Sequence, residues 1–284
     1  MRHSFDVKVG PVGFCIGSAW RQPIAAMEAL YADYPRATIP DFTVRLEPPK
    51  PWRRLIRPSV GIQGDHTLPE AVPLPLAQGL LAAEMGMNLQ VALGERRFLL
   101  LHAASVERDG RVLILTGESG SGKSTLSALL GASGWRFMGD EFVLIDPATG
   151  LAHPFPRPVS LKNESIAALT AVLPEDRFGP LLKGTPKGDI RHLRPDPAAV
   201  ALMETPAPPA LILFPRFGHA REIRDVAASE AFVRLTQAST NYVALGEPGF
   251  TALSTLVTTL PTRAIDYSDT ATGIALVEEL WSGL

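Results

Sequence analysis

Eight consecutive residues in the middle of the chain carry its most specific chemical pattern. Residues 117–124 read Gly-Glu-Ser-Gly-Ser-Gly-Lys-Ser, which matches the spacing G-x-x-x-x-G-K-[ST] of a phosphate-binding loop. Glycines let backbone N–H groups wrap closely around phosphate oxygens, and a helix N-terminus adds positive potential. We expect Lys123 to bridge the β- and γ-phosphates of ATP and the Ser124 hydroxyl to bind Mg²⁺. The predicted nucleotide-binding residues are Gly117, Glu118, Ser119, Gly120, Ser121, Gly122, Lys123, Ser124 and Thr125.

Two other strand-to-helix turns are excluded by the same residues. A nucleophile elbow requires glycine two places after its serine, but Ser121 stands two places after Ser119. A dinucleotide-binding turn requires a final glycine where Thr125 stands. The flanks favour a phosphate loop, because an apolar strand is predicted over 111–116 and a helix begins at Thr125.

A histidine is expected beside the loop. An Asp-Gly turn at 109–110 separates the apolar run 98–106 from the strand that precedes the loop, and Asp-Gly is a strong hairpin signal. The hairpin register, continued from this turn, brings His102 opposite Gly117. The alternative is a core or edge histidine without a chemical role.

An acidic pair is expected at the same edge of the sheet. The helix after the loop ends at Gly134, a residue suited to a left-handed cap, and a short strand over 135–138 leads into Asp140 and Glu141. One carboxylate there can hold Mg²⁺, directly or through water, and another can accept the proton of an attacking hydroxyl. Two solvated acids in a turn are the alternative.

Four later residues are candidate contacts to substrate or phosphate: Lys162, Asn163, Lys187 and Arg216. The first two, with Glu164, follow a proline-rich strand, and a helix N-cap at Asn163 is the alternative there. Lys187 lies in segment 184–189, which is predicted to be a mobile loop. There it either closes on substrate or is an ordinary surface residue. The arginine follows a strand at 210–214 and is equally plausible as an exposed residue.

These residues resemble the catalytic domain of the HPr kinase/phosphorylase family, which shares its nucleotide-binding core with ATP-dependent phosphoenolpyruvate carboxykinases. In that family a histidine precedes the first loop glycine by the interval that separates His102 from Gly117, and an acidic pair follows the loop lysine as Asp140 follows Lys123. The resemblance implies that Asp140 is the catalytic base, that His102 tunes or orients it, that Lys123 clamps phosphate and that Ser124 binds Mg²⁺.

The resemblance has one departure and one extension. The family's second aspartate is Glu141 here, one methylene longer, so its role as a metal ligand is open. The family's later glycine-rich signature is absent. The subgroup called HPr kinase-related kinase A is similar over most of the chain, at residues 31–35, 160–163, 177–180, 187–188, 192–195 and 241–242. Because kinases of this family form rings, the resemblance makes a homo-oligomer an open expectation.

The strands and helices predicted around this site indicate an α/β fold with a mixed sheet. The resemblance implies that its core is a P-loop core of the HPr kinase/PEP carboxykinase type. Residues 97–284 are predicted to form that kinase domain, and residues 1–96 a small α+β module. The module's predicted elements are a hairpin over 5–16, a helix around residues 24–31, a strand over 42–46, a proline-rich loop over 48–57 and a long apolar helix over 74–93. Arginines 53, 54 and 57 in the loop are either solvated surface or a contact to an acidic partner.

Composition limits the functional classes. The chain has 284 residues, 46% of them hydrophobic, and a net charge of −2, so no long-range field attracts it to nucleic acid. One cysteine, Cys15, allows no internal disulfide. No signal peptide or membrane-spanning run is visible in the sequence, so we expect a cytoplasmic protein without a membrane partner.

The leading hypothesis is an ATP- and Mg²⁺-dependent phosphotransferase acting on a hydroxyl-bearing acceptor, which is a protein, a peptide or a metabolite. A nucleotide-dependent switch or scaffold is the second hypothesis, and Asp140 discriminates between them because a pure sensor needs no base beside the γ-phosphate. A carboxykinase-like lyase is the poorer third, since no histidine and lysine set suited to a transition metal is evident.

Overall fold

The N-terminal part of the chain forms a five-stranded sheet. The computed structural model describes residues 2–68 and 71–284. In the first part its elements are β1 (His3–Val9), β2 (Val12–Ser18), α1 (Arg21–Leu30), β3 (Phe42–Glu47), β4 (Ser59–Gly64), β5 (Leu74–Pro75) and α2 (Gly79–Gly94). The strands lie in the order β1-β2-β3-β4-β5, and β2 and β3 are parallel whereas the other neighbours are antiparallel. The predicted hairpin and the strand at 42–46 are confirmed.

Two expectations in this part need correction. The helix predicted from 74 begins at Gly79, because Leu74–Pro75 pairs with β4 and residues Leu76–Gln78 form a 3-10 turn. Proline lacks the N–H that a helix interior requires. The proline-rich loop contains one turn of 3-10 helix at Pro51–Arg54.

The remainder of the chain contains a larger mixed sheet and two small antiparallel ones. Its strands are β6 (Leu99–Leu101), β7 (Ala103–Arg108), β8 (Arg111–Thr116), β9 (Arg136–Gly139), β10 (Val143–Ile145), β11 (Ala152–His153), β12 (Val159–Lys162), β13 (Leu182–Thr185), β14 (Gly188–Leu193), β15 (Pro209–Phe217), β16 (Glu222–Asp225) and β17 (Thr262–Tyr267). Its helices are α3 (Lys123–Ala132), α4 (Glu164–Thr170), α5 (Pro197–Ala201), α6 (Ala228–Ala238), α7 (Tyr242–Leu245), α8 (Glu247–Thr259) and α9 (Thr270–Ser282).

The six-stranded sheet has the order β16-β17-β15-β8-β7-β9, with β8, β15 and β17 parallel. Its central strand β8 is apolar on both faces, as expected for a sheet covered by helices on two sides, whereas the edge strand β16 is charged and mostly exposed. In β8, Leu113 and Leu115 face the cluster that contains α3 and α9, whereas Val112 and Ile114 face the cluster that contains α6 and α8. The predicted mixed α/β architecture is thereby confirmed.

The hairpin before the loop follows the predicted register but is shorter than predicted. Val106 pairs with Leu113 and Ala104 with Leu115, as the Asp-Gly turn predicts. The ladder ends one step short of His102, whose N–H donates to the Ala238 carbonyl at 2.8 Å. The apolar run is therefore two strands, because residues 99–101 leave this sheet and pair with β10.

Of two further expectations about the sheets, one is confirmed and one is revised. Strand β7 lies between β8 and β9 and pairs with both in the antiparallel direction. β8 and β9 still run in the same direction, so their carboxyl ends meet at one edge as expected. Residues 184–189, predicted to be a mobile loop, form the tight end of the hairpin between β13 and β14.

Packing continues across the predicted boundary at residues 96 and 97. One apolar cluster joins Val9 and Phe14 of the N-terminal sheet to Phe98, Leu100 and Phe155. The two-domain division itself stays a prediction.

A buried arginine also makes hydrogen bonds across that boundary. Arg157 donates to the Tyr31 hydroxyl at 3.3 Å, to the Glu84 carbonyl at 3.1 Å, and to the carboxylate of the same glutamate. Burial opposes its charge, but the adjacent Glu84 carboxylate raises the pKa of Arg157 above its ordinary value. Helix α2 and the residues after β11 are thus joined by a desolvated ion pair.

Candidate functional site

The loop between β8 and α3 depends on glycine at three positions. Gly117, Gly120 and Gly122 have φ angles of 147°, 85° and 95°, a region that favours glycine. Gly122 immediately precedes α3, and its carbonyl accepts a hydrogen bond from Leu126 N–H at 2.8 Å. A Cβ atom at Gly122 would lie 2.5 Å from the Tyr267 hydroxyl. Glycine is therefore required there by both conformation and space.

Lys123 is buried with its ammonium group turned into this loop. Its Nζ donates to the carbonyls of Gly117 and Glu118, both at 2.8 Å. Burial lowers the pKa of Lys123, and the carboxylates of Asp140 and Glu141 act in the opposite direction. A cation curled against loop carbonyls beside a helix N-terminus is suited to an anionic ligand, which would offer it stronger acceptors than neutral carbonyls.

Asp140 connects the end of β9 to the loop. Its Oδ1 accepts a hydrogen bond from the Ser124 hydroxyl at 3.1 Å. Its Oδ2 is buried and has no hydrogen-bond partner among the described residues. Burial, followed by the negative charge of Glu141, raises the pKa of Asp140 to about 6. An unpartnered buried carboxylate oxygen is costly unless a ligand, a metal ion or a proton meets it.

Glu141 and His102 form the next pair. Glu141 has a φ of 73°, an unusual conformation for a residue with a side chain, and such strain clusters at functional sites. Its Oε2 lies 3.7 Å from His102 Nδ1. Burial lowers the pKa of His102, and the Glu141 carboxylate partly opposes that shift. The histidine expected beside Asp140 is thus placed against the second acid of the pair.

A cleft of about 760 Å³ opens over these residues and collects most of the predicted site. The predicted residues that line it are His102, Ser119, Gly120, Gly122, Lys123, Ser124, Thr125, Asp140, Glu141, Lys162, Asn163 and Lys187. Gly117, Glu118 and Ser121 are in the loop but do not line the cleft, although the buried Ser121 hydroxyl lacks a partner among the described residues. Lys162 ends β12, and Lys187 lies at the tip of the β13–β14 hairpin.

The N-cap interpretation of Asn163 is only half right. Asn163 precedes α4, but its side chain makes no capping hydrogen bond and its φ is 50°. Its Oδ1 lies instead beside Gly188, where a Cβ atom would be 2.3 Å away. Asn163 thereby packs against the hairpin tip that carries Lys187, and its backbone N–H donates to the Asp189 carbonyl at 3.1 Å.

Arg216 is not part of the cleft. Its Nε donates to Asp266 Oδ1 at 3.1 Å and its Nη2 pairs with the other carboxylate oxygen. Strands β15 and β17 are parallel neighbours with Arg216 opposite Asp266, so the side chains meet across the ladder. The expected contact to phosphate is therefore replaced by an ion pair.

Three residues that line the cleft were missed by the sequence analysis. Phe217, Tyr267 and Thr270 line it, and the two aromatic rings meet edge to face at 5.6 Å. The Phe217 N–H also donates to the Ser121 carbonyl at 3.2 Å. Their positions after β15 and β17, both parallel to β8, were the available signal, since ligands bind beyond the carboxyl ends of such strands.

Among residues 2–68 and 71–284, no group of three or more His, Cys, Asp or Glu side chains is arranged to hold a metal ion. Mg²⁺ does not require such a group, because it commonly uses one or two carboxylates together with substrate phosphates and water. Over the same residues, no helix combines the length and apolar character needed to cross a membrane.

Comparison with known proteins finds likeness among solved structures. No protein-family model matches the chain, and no curated protein matches it. Among solved structures, the chain is similar to the HPr(Ser) kinase/phosphatase from Coxiella burnetii, with 13% identity and a TM-score of 0.30. The match covers 65% of this chain and 94% of the other. Likeness at this level assigns neither a family nor an activity to the chain, which is described here as a mixed α/β protein.

Proposed function

We propose that this protein is an ATP- and Mg²⁺-dependent phosphotransferase that moves the γ-phosphoryl group to a serine-like hydroxyl, and that its P-loop core is of the HPr kinase type. The observation that carries the proposal is Asp140, a buried carboxylate with one oxygen on Ser124 of the loop and the other unpartnered within the described residues. A nucleotide sensor would need Mg²⁺ ligands at the loop but no base beside the γ-phosphate, and the raised pKa of Asp140 suits it to that second role.

The nucleotide half of the proposal is supported by the loop. Three glycines in left-handed conformations, an inward-turned Lys123 and the start of α3 form a concave, electropositive surface. The β- and γ-phosphates would replace the loop carbonyls as hydrogen-bond acceptors of the Lys123 ammonium group, because charged phosphate oxygens are stronger acceptors than neutral carbonyls. Phe217 and Tyr267 lie beside the loop and line the same cleft, where their rings would offer apolar contacts to the remainder of the nucleotide.

The transfer half is supported by the pKa of Asp140. A carboxyl group with a pKa of about 6 is mostly ionised at neutral pH yet more basic than an ordinary aspartate. Asp140 would accept the proton of the acceptor hydroxyl while the hydroxyl oxygen bonds to the γ-phosphorus. The bond between the γ-phosphorus and the β–γ bridging oxygen would break, and that oxygen would leave with ADP. Lys123 and the loop N–H groups would stabilise charge on the transferred group.

The residues also fit Mg²⁺. The Ser124 hydroxyl, Asp140 and Glu141 supply oxygen donors on one side of the loop, which is the ligand type that Mg²⁺ prefers. When bound, the ion would neutralise phosphate charge. The longer side chain of Glu141 and its contact with His102 make it the more adjustable of the two acids.

The proposal is tested by incubating the protein with γ-labelled ATP and cell extract fractionated by size. Label in a macromolecule or in a metabolite supports transfer and reveals the acceptor class. Asp140→Asn must remove that label while ATP binding is retained. Binding of ATP with no labelled product in any fraction would contradict transfer and favour the switch or scaffold.

A further inference from the structure

We call the cleft over residues 117–124, Asp140 and Glu141 the nucleotide cleft. The N-terminal part of the chain contains a second cleft, which shares no lining residue with it. It has a volume of about 780 Å³, and its walls come from segments 49–59 and 73–77. Its rigid walls include four prolines: Pro49, Pro58, Pro73 and Pro75. We call it the basic cleft, because Lys50, Arg53 and Arg57 line it together with Trp52.

The charge of the basic cleft is of one sign. No aspartate or glutamate is among the described residues that line it. Trp52 is 55% exposed, and the Lys50 ammonium group lies 5.1 Å from the centre of its ring. Leu55 and Ile56, in the same turn of chain, are 84% and 65% exposed. Large apolar side chains exposed beside several cations are typical of an interaction surface.

The residues of this cleft are held in place. The Trp20 indole donates to the Arg54 carbonyl at 3.1 Å, and Arg53 Nη1 donates to the Arg57 carbonyl at 3.2 Å. Arg57 itself has a φ of 47°, a conformation that costs free energy in an L-residue. A preorganised surface loses less entropy when it binds.

We propose that the basic cleft binds an acidic segment of a partner polypeptide in which carboxylates alternate with apolar side chains. Carboxylates would pair with Arg53 and Arg57, and an apolar side chain would pack on Trp52. The concave shape favours a polypeptide over a lipid surface, because Arg53 and Arg57 line a cleft that a chain can enter, and Pro51–Arg54 is one turn of 3-10 helix and not an amphipathic helix of the kind that lies in a bilayer interface.

The basic cleft adjoins the wall of the nucleotide cleft. Leu76 lines the basic cleft, and two residues later Gln78 Nε2 donates to the Gly184 carbonyl at 3.2 Å. Gly184 belongs to the hairpin whose tip carries Lys187, a residue of the nucleotide cleft. A bound polypeptide would thus lie one hairpin away from the phosphate loop. The proposal rests on the basic cleft alone and is independent of the proposed transfer reaction.

The test uses a fluorescein-labelled peptide of alternating glutamate and leucine, whose anisotropy reports binding to the full-length protein. The matched peptide has lysine in place of glutamate. We expect saturable binding of the acidic peptide only, weakened by salt. The Arg53→Glu, Arg57→Glu double variant and the Trp52→Ala variant should each lose about tenfold in affinity. Arg36→Glu, an exposed charge reversal outside the basic cleft, should lose nothing.

Three results would overturn the proposal. These are no saturable binding of the acidic peptide, equal loss of affinity in the Arg36→Glu variant, and binding to phosphatidylserine vesicles without binding to the peptide. Circular dichroism checks the fold of each variant. If the double variant is unfolded, Lys50→Glu repeats the charge reversal at a third position of the same cleft.

Discussion

Ionisation of Asp140 should destabilise the protein in the absence of nucleotide and metal, and Asp140→Asn should reveal this. The pKa of Asp140 is raised by burial from 3.8 to about 6. At ~1.4 kcal/mol per pKa unit, that shift corresponds to about 3 kcal/mol. Because the folded pKa lies above the unfolded one, stability is fully present below pH 3.8 and is lost as the pH rises through about 6.

The assay is urea unfolding of both proteins in EDTA at a series of pH values. The asparagine variant cannot ionise, so its stability relative to the wild type should rise by roughly 2 kcal/mol between about pH 4 and about pH 7. Asp146→Asn is the matched control, because hydrogen bonds from backbone N–H groups lower the pKa of Asp146 and predict the opposite trend. A constant difference between wild type and Asp140→Asn across this range would refute the assigned environment of Asp140.

Three further outcomes are expected. Gly122→Ala should weaken ATP binding at least about tenfold, because the added Cβ collides with a tyrosine hydroxyl; Gly134→Ala, with a φ of 93° and open space around it, controls for strain alone. Asp140→Asn should slow transfer by roughly a hundredfold or more, and the wild-type rate should fall as the pH drops below about 6. Arg157→Met should cost about 3–5 kcal/mol in urea unfolding, since it leaves a buried carboxylate unpaired.

The parts of the site that could be predicted from sequence were those governed by local rules. The phosphate-loop pattern is contiguous, and the Asp-Gly turn fixes a register that the structure follows as far as Ala103 and Thr116. The position of His102 near the loop followed from the phosphate-loop pattern and the hairpin register. The acidic pair was correctly brought to the loop, because β8 and β9 run in the same direction on either side of β7.

What could not be predicted depends on contacts between distant residues. Arg216 is withdrawn from the phosphates by Asp266, fifty positions away, and no local signal pairs them. Residues 184–189 resemble a loop in sequence because of their glycines and proline, yet they form the turn of the β13–β14 hairpin. The more distant strand β12 pairs with β14 and extends the same sheet. Phe217 was missed for the same reason, since its place in the cleft depends on the parallel pairing of β15 with β8.

The measurement that tests the central claim most directly is calorimetric titration of Mg-ATP into the wild type and Lys123→Ala. Lys123 is the buried cation of the loop, whereas Lys183 is exposed on β13 and does not line the cleft, so Lys183→Ala is the control. We expect binding to the wild type and to the control, and loss of binding in a folded Lys123→Ala. Unchanged Mg-ATP affinity in Lys123→Ala would contradict the assignment of residues 117–124 as a phosphate-binding loop.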